Sequence, residues 1–422
     1  MKSKSPLLSL ALLVALPSSI GVAVGQEATN PNLSYEVINL GTPLGGSLAA
    51  VQTISLQGFL AGYANLPDNS QHAILFLPSG TKDLGTFGGQ NSAILGRLSG
   101  FSETATSDPL GQDFCETGTH LVCLAFTLGN RNQVVALPTL GGTAAAAFGN
   151  NALGQVVGIS LTSVHDPSCL VGGEPQAPFY QVQQSVPAVW RSGAVKELPT
   201  FPGDSDGSAN AINSLGQITG STGDCYANPG AHAVLWQNGE VINLGSLGGA
   251  MNNDPEAIND LGEITGDSDL PGDATGHAFL WRKGKMQDLG TLPGDYSSYA
   301  NAINNLSQIV GQSCDINGNC RPFLWENGNM IDLNTLVPAS QANLYYPATI
   351  DDLGVIGGIA MNQSTGLDPA FVALPTFGLT GKQVSAGRIE AAPRPSMPQG
   401  TRLFVQRRLK HSAAAPIATN HQ

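Results

Sequence analysis

The feature that most limits what this chain can fold into is an internal repeat with a period near 45 residues, because self-similarity at that spacing excludes most single-domain folds. An aromatic-turn-glycine element recurs as Trp190…Gly193, Trp236…Gly239, Trp281…Gly284 and Trp325…Gly328, so successive tryptophans lie 46, 45 and 44 residues apart. A second element recurs as Asn151-Ala152-Leu153-Gly154, Asn213-Ser214-Leu215-Gly216, Asn259-Asp260-Leu261-Gly262 and Asp351-Asp352-Leu353-Gly354. Ser55–Gly58 and Asn304–Ser307 are looser versions, and Phe76…Gly80 is a degenerate copy of the first element. Together they define seven units, the second of which, about Phe87 to Leu137, is the most eroded.

Each unit reads as four short strands. Asn, Asp or Ser at the first turn position with Gly at the fourth suits a type I turn, which joins the first two strands. Asn238-Gly239 and Asn327-Gly328 suit a type I′ turn, which joins the third and fourth. Between the turns run short β-branched and aromatic segments, with no helical period between residues 35 and 375, so the class is all-β. Four strands in about 45 residues is the size of a propeller blade; a β-helix rung is half as long or less.

The ends of the repeat region indicate how the ring closes. Tyr35–Gly41 matches a fourth strand with no first three, and the seventh unit has its third strand at Ala370–Leu374 with no clear fourth. We therefore expect a seven-bladed β-propeller of four-stranded antiparallel blades, over residues 26–375, closed by the N-terminal strand, which removes the two edges that an unclosed first and last unit would expose. Lys382–Ser385 is the alternative fourth strand. A closed ring of this kind is expected to be a monomer.

Residues 1–25 carry Lys2 and Lys4, an apolar run from Leu7 to Leu16 and then Ala23-Val24-Gly25, the pattern of a secretory signal peptide. The run is too short to span a bilayer, and no other stretch is long enough. A secreted chain, extracellular or periplasmic, is the expectation. Residues 26–375 hold nine Lys and Arg against 30 Asp and Glu. Such an acidic body repels phosphate backbones and argues against a nucleic-acid partner. From residue 376 to 422 the sign reverses, with seven basic residues against Glu390 alone, which reads as a flexible basic extension.

Six cysteines in a secreted chain are expected to pair. Fifteen connectivities are open; positions in the repeat favour Cys115–Cys123 within unit two, Cys314–Cys320 within unit six, and Cys169–Cys225 between units three and four.

In an up-and-down blade the first and third turns share one face, and the second turn shares the other with the blade-to-blade loops. Here the former are tight and the latter vary, hold all six cysteines and are rich in acids, among them Asp204, Asp206, Asp224, Asp295 and Asp315. Variable loops on a rigid scaffold are where binding usually evolves, so a site is expected on that face. Asp267, Asp269 and Asp273 are a calcium candidate, the one cofactor the sequence suggests. No complete twelve-residue calcium loop is present, and capping of turns by these aspartates is the simpler reading.

Gly203–Gly207 satisfies G-x-S-x-G but lies between blades, without the strand and helix a nucleophile elbow needs. His72, His232 and His277 share one repeat position that Val186, Arg321 and Pro369 fill elsewhere, which suits structural hydrogen bonding better than metal ligation. The four tryptophans sit at fixed spacing before a hairpin and read as core. Glu103, Glu116 and Glu174 break the repeat's symmetry, as catalytic acids would.

His277-Ala278-Phe279-Leu280-Trp281, Asp288-Leu289-Gly290-Thr291-Leu292 and Ala300-Asn301-Ala302-Ile303-Asn304 together resemble the repeat of the extracellular HAF-repeat family, named for its His-Ala-Phe. The resemblance covers about residues 35–375 and is strongest from 187 to 336. Copies depart as His72-Ala73-Ile74, Arg321-Pro322-Phe323 and Pro369-Ala370-Phe371. It implies a secreted bacterial protein of unassigned activity and offers no catalytic residues. On these grounds we expect a binding module for an extracellular protein or glycan. The alternative is a glycan hydrolase or lyase with carboxylates near the axis.

Overall fold

The structure is a computed structural model that describes residues 33–377 apart from 55–58, 130, 131, 172, 173, 176–180, 226–229, 342 and 363. The segment expected to be a signal peptide, most of the basic extension, the first turn of unit one and the Lys382–Ser385 alternative lie outside the described residues. No helix among the described residues is long and apolar enough to cross a membrane.

Seven four-stranded antiparallel sheets are present, and the innermost strands of successive blades contact one another in a closed ring. Blades 1 to 6 use consecutive strands, starting at Ala49–Ile54, Gly88–Gly96, Gly141–Asn150, Asp206–Ile212, Asn253–Ile258 and Ser297–Ile303. Blade 7 takes its inner three strands from Leu344–Ile350, Ile356–Ala360 and Ala370–Phe377, and its outermost from Leu33–Gly41. Val37 pairs with Ala373 and Asn39 with Phe371, so the N-terminal strand closes the ring as the repeat pattern implies. Blade 2, the eroded unit, forms all four strands, but its first two are joined by only Arg97 and Leu98.

The repeat motifs have identifiable mechanical roles. In all seven blades the innermost strand bulges at the same place, for example between Ala209 and Ala211, and between Pro255 and Ala257. The bulge brings a carbonyl onto the glycine of the second strand. A Cβ on Gly266 would lie 2.0 Å from the Asp254 oxygen, and one on Gly220 would lie 2.0 Å from the Ser208 oxygen. Only glycine fits there, which accounts for its place in every Ile-x-Gly or Val-x-Gly segment.

The His-Ala-Phe segment ties blade 5 to blade 6. His277 Nδ1 meets Asp288 Oδ1 at 3.0 Å, and the same oxygen accepts the Gly290 N–H at 2.7 Å. Burial pushes Asp288 up, but these bonds hold its carboxyl below the usual range. Ala278 N–H donates to Ser298 Oγ of the next inner strand, and Ser298 Oγ donates to the Gly290 carbonyl. His72 repeats this with Asp83, and His232 uses Asp204 instead. In blade 6 Arg321 replaces histidine and reaches Asp332 and Asp295. These histidines are therefore structural clamps.

On the turn face, asparagines form a blade-to-blade relay. Asn213 Oδ1 accepts N–H groups from Leu215 and Gln217, while its Nδ2 donates to Gln217 and to the Asn259 carbonyl of the next blade. Asn151, Asn259 and Asn304 do the same toward residues 213, 304 and 351. Each such bond contributes about 1 kcal/mol. Trp190, Trp236 and Trp325 are buried between sheets, and the first two donate Nε1–H to the Pro138 and Pro199 carbonyls.

Candidate functional site

The second turns and blade-to-blade loops share the opposite face, and all three disulfides lie there: Cys115–Cys123, Cys169–Cys225 and Cys314–Cys320. The pairing is the one expected from repeat position. Cys169–Cys225 joins the loops of blades 3 and 4; the other two close loops within blades 2 and 6.

The long loop of blade 2 is fastened to blade 3 through Gln112. Its Nε2 donates to Thr143 Oγ1 at 3.0 Å and Gln183 Oε1 at 3.1 Å, and its Oε1 accepts the Val182 and Gln183 N–H groups. Thr143 Oγ1 donates to Asp108 Oδ2 at 2.5 Å. Glu103, buried completely, accepts from Gln90 N, Asn91 N, Asn91 Nδ2, Thr117 Oγ1 and Thr119 Oγ1. A carboxylate held by five donors is a loop anchor, so Glu103 holds the fold of blade 2. The Glu174 side chain lies outside the described residues.

The same platform continues into blade 4 through two buried carboxyls in mutual hydrogen bond, Asp166 and Asp206. Asp206 Oδ1 accepts from Ser185 N and Oγ, both at 2.8 Å, and Oδ2 accepts from Ser205 Oγ at 2.7 Å. Burial, then the bond to Asp166, pushes Asp206 up to about 7. Asp166, also raised by burial, ends below the usual range because Asp206 and Ser168 donate to it. The pair shares one proton. Asp206 and the sulfurs of Cys169 and Cys225 also lie close together, but both sulfurs are in the disulfide and offer no thiolate to a metal. Of the G-x-S-x-G segment, Ser205 and Asp206 thus belong to this structural pair.

The calcium-candidate aspartates hold the loop ahead of blade 5. Asp267 and Asp269 lie on the second strand of that blade; Asp273 is in the turn that follows. Asp267 Oδ2 accepts Asn252 Nδ2 at 2.9 Å, Asp269 Oδ2 accepts Asn252 N at 3.0 Å, and Asp273 Oδ1 accepts Ala250 N at 2.7 Å. Among the described residues these three do not form a cluster with converging oxygens. Burial, then the charge of Asp273, raises Asp269 to about 7.

An acid the sequence reading passed over lies beside them. Asp254 sits on the innermost strand directly across from Asp267, and both are buried. Its position, the residue whose carbonyl faces the second-strand glycine, holds Ala50, Ala93 and Ala146 in blades 1 to 3, Ser208 in blade 4, and Tyr299 and Tyr346 in blades 6 and 7. Asn210 of blade 4 donates to Asp254 Oδ1 at 2.8 Å and to the Pro255 carbonyl. Burial, with Asp267 and Asp269 nearby, pushes the Tyr299 hydroxyl up. The inner ring is therefore lopsided: one apolar cluster spans Ala50, Ala93, Ala146 and Tyr346, while blades 4 and 5 are polar. Aligning Asp254–Asn259 with Ser208–Asn213 and Tyr299–Asn304 was the signal available for Asp254.

Solvent-facing apolar side chains on the loop face come one to a loop: Leu110, Val164, Met251, Tyr296, Ile316 and Leu367. A separate groove of about 510 Å3 lies at the outer rim between Leu33–Glu36 and Thr335–Pro338, away from the acids of blade 5.

No protein-family model matches the chain, and no characterised protein matches it by sequence. Among solved structures it is similar to the β-propeller domain of the trilobed protease from Pyrococcus furiosus, at 11% identity and TM-score 0.41, over 66% of this chain and 79% of that one. A puromycin-hydrolysing peptidase of Mycobacterium tuberculosis aligns at 12% identity and TM-score 0.44, over 82% of this chain and 56% of that one. Aleuria aurantia lectin aligns at 11% identity and TM-score 0.28, over 81% of this chain and 99% of that one.

Proposed function

We propose that this chain is a secreted binding module that takes an extracellular protein or glycan on the face formed by its second turns and blade-to-blade loops. The observation that carries this reading is how firmly those unequal loops are braced. The loops of blades 2, 3 and 4 are joined in series by Gln112, the Asp166–Asp206 pair and Cys169–Cys225. A surface ordered before contact loses little entropy on binding. The exposed Tyr296, Ile316 and Met251 on it supply the apolar anchors that binding surfaces use.

One observation favours a second reading, a glycan hydrolase or lyase: the buried, cross-strand Asp254 and Asp267 with Asp269 raised to about 7 beside them. Carboxylates whose environments separate their protonation are the equipment of glycoside cleavage.

A glycan array run beside a reducing-sugar release assay separates the two. The binding reading predicts retention without release, lost in Tyr296→Ala and Ile316→Asp and kept in Lys283→Ala on the turn face. Sugar release abolished by Asp254→Asn and Asp267→Asn would replace it with the hydrolase reading.

A further inference from the structure

We propose that the other face of the ring, where the first and third turns lie, docks the chain's own basic segment Thr401–Lys410. Leu153, Leu215, Leu261, Leu306 and Leu353 occupy the third position of the first turns of blades 3 to 7. They are 72, 71, 67, 65 and 77% exposed. The turn itself does not ask for leucine there. The Asn or Asp side chain uses only that residue's N–H, and positive φ is supplied one residue later, by Gly216 or Ser307 for example. None of the five belongs to the buried apolar clusters between the sheets.

These leucines form one arc. Adjacent turns are hydrogen-bonded directly, as Asn213 Nδ2 to the Asn259 carbonyl and Asn259 Nδ2 to the Asn304 carbonyl. A second set of bonds links the residues next to the leucines, Ser214 to Asp260, Asp260 to Asn305 and Asn305 to Asp352. An unbroken run of exposed aliphatic side chains on one face marks an interaction surface rather than random scatter. Acids accompany it: Asp260, Glu263 and Asp352 lie within the same turns.

The occupant follows from where the chain leaves the ring. The last strand, Ala370–Phe377, runs toward the turn face and ends paired with Leu33. Pro375 Cγ lies 3.7 Å from the point where Gly354 would carry a Cβ, so the exit adjoins the turn that holds Leu353. Beyond it, residues 378–422 hold seven basic residues and one acid, against 30 acids and nine bases in residues 26–375. Thr401–Lys410 is the stretch that joins both chemistries, with Leu403-Phe404-Val405 and Leu409 set among Arg402, Arg407, Arg408 and Lys410. Its apolar residues match the arc and its cations match the acids. The 24 residues from Phe377 to Thr401 allow a reach of at most roughly 80 Å at about 3.3 Å per residue, so chain length does not keep the segment from the arc.

The test uses the full-length chain with the photo-crosslinker benzoylphenylalanine in place of Phe404, followed by peptide mapping. Crosslinks within one molecule to the turns at 213–216, 259–262 or 304–307 are expected. In Leu215→Asp combined with Leu261→Asp, the yield should fall more than about tenfold, the loss implied by two leucines left unburied. Because both side chains lie outside the buried clusters of the sheets, that variant should still unfold as one cooperative ring, and Arg407→Ala with Arg408→Ala should lower the yield as well. Crosslinks to the loop face, crosslinks between two copies, a yield indifferent to the leucines, or no crosslink at all would each overturn the proposal.

Discussion

The carboxyl of Asp206, on the innermost strand of blade 4, is hydrogen-bonded to the carboxyl of Asp166 in the loop of blade 3, and both are buried. Asp206 is raised to about 7, as is Asp269 in blade 5. In the unfolded chain both titrate near 3.9. Between those values the native state holds more protons, so stability falls as pH rises from about 4 through 7. The fall amounts to at most about 4 kcal/mol for Asp206 and to less for Asp269, which solvent screens more. Asp166, held low, acts in the opposite sense only in acid. The thermal midpoint should be higher at pH 5 than at pH 8. Asp206→Asn, which mimics the protonated group, should flatten the profile and exceed the parent at pH 8. A midpoint indifferent to pH over that range would refute the shared proton.

The glycine that faces each inner-strand bulge gives a sharper packing test. A methyl group on Gly266 would meet the Asp254 carbonyl at 2.0 Å, and backbone cannot move aside cheaply. Gly266→Ala should destabilise by about 1–3 kcal/mol, the usual cost of overpacking. Urea denaturation measures it, and an unchanged midpoint would mean that the bulge relaxes freely.

The disulfides should differ in worth. Cys169–Cys225 closes 56 residues and Cys314–Cys320 only 6. Loop entropy then predicts losses of about 4 and about 2 kcal/mol for the paired serine variants. Equal losses would show that the first bridge does not restrain the two blades in the unfolded chain.

Calcium should leave the protein unaffected. Asp267, Asp269 and Asp273 each accept a hydrogen bond from the 250–252 loop, and their oxygens do not converge. Millimolar calcium is expected to shift the thermal midpoint by less than about 1 °C, whereas a rise of several degrees would place the cation there by mass action.

Much of the architecture is legible in the sequence because it is written in the period. The Trp-to-Gly and Asn-to-Gly elements together counted the blades, and the orphan strand at Tyr35–Gly41 foretold the closure with Phe371 and Ala373. Repeat position alone paired Cys169 with Cys225 and read His72, His232 and His277 as clamps. What escaped was long-range or looked ordinary. Asp166 comes from an excursion with no counterpart in other units, so nothing in sequence places it beside Asp206. Asp254 hides at a position where alanine, serine and tyrosine also occur. The exposed Leu215 and Leu261 were absorbed into a turn motif whose caps explained it fully, which directed attention to the opposite face alone.

The claim on which the rest depends is that a single ring is closed by pairing its first strand with its last, and amide hydrogen exchange tests this most directly. Residues 33–41 and 370–377 should be protected to the same degree and should exchange together with the inner strands as denaturant is raised, since edges paired in one sheet open in one unit. Free exchange throughout 33–41, with 370–377 still protected, would contradict it.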